Sequence, residues 1–155
     1  MDLLAVLPVL LPRAIAWAEG ESARVQESGV PLVPEHVEWA RKLGVLKPEL
    51  VRIEFAPALP MPADSELREA AIAAGLLGPQ MCGLTLGYSI FLRQPDGSTT
   101  HTLAHELRHV YQYEQAGSIA KFLPDYLLGA LTGGYANSPH EVDAREASAL
   151  LFHNG

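Results

Sequence analysis

The sequence predicts an α+β fold, mostly helical with a small sheet, in one domain spanning residues 1–155. Three observations carry that expectation. Segments with helical periodicity and capping signals outnumber the two runs rich in β-branched and aromatic residues. Hydrophobic residues make up 48% of the chain and charged residues 19%, the balance of an ordered globular protein. No internal repeat, low-complexity tract or long linker marks a domain boundary.

The elements follow in order. The start, "MDLLAVLPVLLPRAIAWAEGE", is apolar but broken by Pro8 and Pro12, with "RAIAWAEGESARVQESG" continuing as a helix that stops at Gly29. "PEHVEWARKLG" reads as a helix with Pro34 at its first position and Gly44 just past its end. "LVRIEFA" alternates, placing Val51, Ile53 and Phe55 on one strand face. A proline-rich surface connection, "APALPMPAD", leads to a short helix in "ADSELREAAIAAG", capped by Asp64 or Ser65 and ended near Gly75. "GLTLGYSIFLR" is the second strand, closed by the turn signal Gln94-Pro95-Asp96-Gly97. A helix then runs to Gly117. "SIAKFLPDYLLGAL" is helical with a bend or restart at Pro124, and the loop "TGGYANS" precedes a last helix in "PHEVDAREASALLF".

A net charge of −7 argues against a nucleic-acid partner, which needs a basic surface. The single cysteine, Cys82, excludes an internal disulfide framework, fits a reducing compartment and reads as a small buried apolar group. Ala16-Trp17-Ala18 resembles an export-signal cleavage site, yet the segment begins with an acid, Asp2, and no basic residue, and Pro8, Pro12 and Arg13 interrupt its apolar run. The expectation is therefore a core-packing first helix, too short and too interrupted to span a bilayer, in a cytoplasmic protein.

Chemistry concentrates in "THTLAHELRHVYQ". Residues four apart on a helix lie about 5–6 Å from each other on one face, so His105 and His109 project together and can share one zinc ion. Glu106, beside them, is placed to take a proton from a metal-bound water without being a ligand. Leu103, Leu107 and Val110 form a buried stripe that supports the helix. The alternative is the solvated polar face of a surface helix.

A catalytic zinc keeps three protein ligands and an open position. The third is sought in "NSPHEVDAREAS", where Glu141 is first choice, Glu146 the reserve and His140 third. Locally Glu141 competes with itself: Ser138-Pro139-His140-Glu141 is also a capping box, in which its carboxylate would turn back to the Ser138 amide. His101, one turn before His105, reads as a polar residue of the helix approach.

"HELRH" at 105–109 and "EVDAR" at 141–145 resemble the zincin metallopeptidases, in the branch whose third ligand is a glutamate. The resemblance covers the second half of the chain and implies a zincin-like fold, zinc held by His105, His109 and Glu141, Glu106 as catalytic base, and a peptide or protein substrate. Arg145 stands where those families often place an acid that orients a ligand histidine, with Asp143 as a substitute. It also implies that the strand before the motif helix can pair with an extended substrate, if that strand lies at a sheet edge rather than inside it.

The expected activity is zinc-dependent peptide hydrolysis, with Tyr135, His140 or Arg145 as oxyanion donors. Tyr111 and Tyr113 on the motif helix read as packing residues. Two alternatives share the motif: a non-catalytic zinc module, which would close the site with a fourth ligand such as His140 or His101, and hydrolysis of small amides or esters.

Overall fold

A computed structural model describes residues 1–94 and 99–153. Six α-helices and a four-stranded sheet form a single helix-rich α+β domain. The helices are α1 (Leu3–Ser28), α2 (Pro34–Lys42), α3 (Ser65–Ala73), α4 (Thr99–Ala116), α5 (Ile119–Gly133) and α6 (Pro139–His153). The strands are β1 (Val30–Pro31), β2 (Arg52–Ala56), β3 (Gly83–Leu86) and β4 (Ser89–Arg93), in spatial order β1-β2-β4-β3. β2 and β4 run parallel, and the two outer pairs are antiparallel.

The sheet lies between two helical layers, which explains its least alternating strand. Along β4, Ile90 and Leu92 pack on one side with Leu103, Leu107 and Val110 of α4, while Phe91 packs on the other with Ala18 and Val25 of α1. A strand covered on both faces reads as a continuous apolar run. That run hid a turn. "GLTLGYSIFLR" is a hairpin of β3 and β4 rather than one strand, reversed where Gly87 adopts φ 68°, a conformation that glycine takes without steric cost. The expected turn at Pro95-Asp96-Gly97 lies outside the described residues.

Most expected boundaries are met. Pro34 opens α2, the Asp64 carboxylate caps α3 through the amides of Glu66 and Leu67, and Gly44, Gly75 and Gly117 follow helices with positive φ. Of the bend or restart expected at Pro124, the restart is absent: α5 is one helix, its N-terminus capped by Ser118. The expected break at Pro8 and Pro12 is corrected. α1 is one helix through Pro8 and Pro12, long and apolar enough by length and composition to cross a membrane. Leu4, Pro8 and Pro12 share one exposed stripe, so the carbonyls of Leu4 and Pro8, which lose their amide partners to the proline rings, face water. Core packing by α1 is sparse: Leu10, Ala18 and Val25 are buried, whereas Leu4 and Val9 are exposed. In β2, Ile53 is buried as expected, but Phe55 extends past the core and is exposed.

Candidate metal centre

The centre forms where α4 meets α6. Burial of Leu103, Leu107 and Val110 rotates α4 so that His105 and His109 look toward α6. Ser138 starts α6: its hydroxyl accepts from the Glu141 amide at 3.4 Å, so half of the capping box forms. The other half does not. The Glu141 carboxylate turns away from the cap and into the core, 1% exposed, to meet both imidazoles. Its two oxygens lie 2.9 Å from His105 Nε2 and 2.9 Å from His109 Nε2, and the two Nε2 atoms are 3.2 Å apart.

These donors fit a metal ion. A tetrahedral cation with bonds of about 2.0–2.1 Å sets its ligand atoms about 3.3 Å apart; the two imidazole nitrogens stand close to that spacing, and with one carboxylate oxygen the three donors lie within 4.8 Å of one another. The nitrogens need one as well: His109 Nδ1 is engaged with Gln112 Oε1 at 2.7 Å, which fixes the N–H on Nδ1 and leaves the Nε2 lone pair facing a second imidazole. Only a shared proton or a cation relieves that opposition. Without metal it is a proton. Burial works against a charged His109, but hydrogen bonding to Glu141 and the charges of Glu106 and Glu141 outweigh it, and its pKa is pushed up to about 9. Burial likewise opposes the Glu141 carboxylate, yet hydrogen bonds from His105 and His109 hold its pKa well below the usual range.

A second set of residues holds the ligands in place. Tyr126 donates to Glu141 Oε2 at 2.7 Å. Gln112 Nε2 donates to Asp143 Oδ2 and to the His140 carbonyl, both at 2.9 Å, which orients the amide so that its oxygen receives His109. Asp143 is fixed in turn by Arg108 at 2.9 and 3.2 Å, and this pairing lowers its pKa. Asp143 therefore acts on His109 through Gln112.

Glu106 is buried beside the cluster and outside it. The Thr85 hydroxyl of β3 donates to Glu106 Oε1 at 2.8 Å. A β-carbon at Gly83 would lie 3.0 Å from both Glu106 Cγ and Oε2, so the strand approaches this close only as glycine. β3 is an edge strand paired with β4 alone.

Two cavities meet here. An open cleft of about 680 Å³ exposes His105 and Glu106 among His101, Cys82, Tyr135 and Arg145. A narrower cavity of about 140 Å³ reaches Glu106, His109 and Glu141 from the opposite side, between α1, α3 and α5.

Of the residues singled out in the sequence, His105, His109 and Glu141 come together as one group. Glu146 does not join them and is exposed on α6. His140 packs its ring on Phe122 and Tyr126, with Nδ1 buried and unpartnered, and His101 is exposed against Phe152. Arg145 bonds the Ala136 carbonyl, whereas Tyr135 lies against Glu141 and Tyr126. Tyr111 stacks under the Arg108 guanidinium, and Tyr113 is buried with its hydroxyl on the Thr85 carbonyl, as packing residues. Cys82 is half-buried on the cleft wall, not in the core, because it precedes β3 at the open edge. Thr85, Gln112 and Tyr126 carried no signal in the sequence. No protein-family model matches this chain, and no curated protein or solved structure matches it.

Proposed function

We propose that this protein is a zinc-dependent metallohydrolase of the zincin type that cleaves amide bonds, with peptides as its leading substrate class. The reading is carried by one observation: three donors, one from each of His105, His109 and Glu141, lie within 4.8 Å of one another beside a buried carboxylate that is not one of them, at a point open to a cleft. The nitrogen and carboxylate donor set suits zinc. Neither His101 nor His140 belongs to the donor group among the described residues, which favours an open catalytic site over a closed structural one.

Bound zinc would supply Lewis acidity, polarising a carbonyl and drawing the pKa of a coordinated water toward about 7. The remaining work falls to side chains. Glu106, aimed by Thr85, takes the proton from the attacking water and returns it to the leaving amine. Tyr135 lines both the cleft and the narrower cavity with Glu106, which makes its hydroxyl the leading candidate donor to an oxyanion. The edge of β3 offers main-chain groups to an extended substrate next to the motif helix.

The test combines metal content with turnover. Glu106→Gln is expected to keep zinc and lose at least a hundredfold in hydrolysis of a broad peptide library, within the usual range for an acid–base group. Glu141→Ala is expected to lose zinc affinity. Wild-type turnover in Glu106→Gln would remove the base from this scheme. Undiminished zinc binding in Glu141→Ala would remove the ligand.

A further inference from the structure

The narrower cavity is not explained by peptide hydrolysis alone. Its long wall is one face of α1, where Leu3, Val6, Leu10, Ala14 and Trp17 follow each other at helical spacing. At 1.5 Å per residue these positions extend over roughly 21 Å. A volume of about 140 Å³ against that length of wall makes a narrow bore, which favours a slender occupant over a bulky one. The opposite wall is equally apolar, with Ala70 and Ala71 of α3 and Leu123 and Leu127 of α5. Polarity is confined to one end, where Glu106, His109, Tyr135 and Glu141 close the cavity. Glu106 and Tyr135 also line the open cleft, so the reactive groups stand at the boundary between an apolar tunnel and a hydrated opening.

We infer that the substrate carries a linear aliphatic chain, which enters this tunnel and delivers the adjoining amide carbonyl to the centre. The inference rests on the hydrolase reading and adds the substrate class. A straight chain fits the bore, loses its hydration along an apolar wall, and needs no polar partner until its head reaches Glu106 and Tyr135. The rest of the substrate lies in the cleft. The reaction is hydrolytic: water adds to the carbonyl carbon, the carbon–nitrogen bond breaks, and the fatty acid and amine leave with water's atoms divided between them. The exposed α1 residues Leu4 and Val9 place further apolar surface on the same helix.

The experiment uses straight-chain N-acyl p-nitroanilides of increasing length with the zinc-loaded protein. In parallel, cis-parinaric acid, a fluorescent straight-chain acid, is titrated into the metal-free protein. Turnover efficiency, kcat/KM, is expected to rise about fourfold per added methylene until the tunnel is filled, as chain burial predicts. The probe is expected to bind saturably at one site and to be displaced by decanoate but not by adamantane carboxylate. Ala71→Phe narrows the bore and is expected to lower kcat/KM for the longest chain at least tenfold. If that variant fails to fold, decanoate displacement from the native protein still decides the question. Hydrolysis of peptides with no dependence on chain length and no probe binding overturns the tunnel's role and leaves the hydrolase reading standing. Probe binding with no hydrolysis of any amide supports the tunnel and overturns the hydrolase reading.

Discussion

At the residue scale, the centre is a set of polar groups that a proton or a cation must hold together. His109 is protonated at pH 7 in the metal-free protein, since its pKa is pushed up to about 9, while Glu141 is already ionised. Zinc must displace that proton. Its apparent affinity is therefore expected to rise about tenfold per pH unit from pH 6.5 toward 9 and then to level off. The metal-free protein shows the opposite trend: the His109–Glu141 pair stabilises the fold fully below the ordinary histidine range, and this is lost as pH rises through about 9. On the acid side the contribution of Glu141 falls away below its ordinary carboxylate range. Zinc titrations at several pH values against a competing chelator measure the slope, and a flat profile would mean that His109 binds without losing a proton. The same titration tests Gln112→Leu, expected to weaken zinc binding 10- to 100-fold by freeing the His109 ring. The histidine pair was legible because helical spacing alone places it. Gln112, Tyr126 and Thr85 were not, because their roles arise from α4, α5 and β3 meeting in three dimensions.

At the element scale, the hairpin decides how Glu106 is aimed. Reading 83–93 as one strand hid the reversal at Gly87, since a lone glycine in an apolar run resembles an ordinary strand irregularity. The reversal sends β4 into the middle of the sheet and leaves β3 at its edge, with Thr85 on the base and Gly83 against its side chain. Gly83→Ala puts a methyl 2.9 Å from Thr102 Cγ2 and 3.0 Å from Glu106 Oε2, so the carboxylate must move. A tenfold or greater fall in kcat is expected, with zinc content unchanged, because the substitution touches neither histidine. Loss of zinc in Gly83→Ala would show that β3 shapes the ligands as well as the base. α1 teaches the complementary lesson. Its prolines looked like interruptions, but four residues apart on a wet face they cost only amide bonds that water replaces at the freed carbonyls.

At the scale of the whole molecule, the proposed metal would tie together elements that the sheet does not. α4 packs on the sheet through Leu103, Leu107 and Val110, whereas α6 is held mainly through α4, by Glu141 on the histidines and by Asp143 on Arg108 and Gln112. On the proposed reading, zinc binds the folded chain alone and so stabilises the domain as a unit. At a free concentration a hundred times its dissociation constant, the gain is about 2.7 kcal/mol. For a chain of this size that corresponds to a rise in Tm of roughly 5–11 °C. Stripping with a chelator should reverse the rise, and Glu141→Ala should melt at the same temperature with and without zinc. The comparison also separates two ways in which the centre could be built. If α6 were fixed independently of the ion, zinc would bind a preformed site and amide exchange along α6 would slow only as much as global stability rises. If α6 depends on the ion, its amides should exchange faster than those of α4 in the metal-free protein and match them once zinc is bound. The second outcome is expected, because the one carboxylate that α6 brings into the core is Glu141, and without a cation it is held only by hydrogen bonds from His105, His109 and Tyr126.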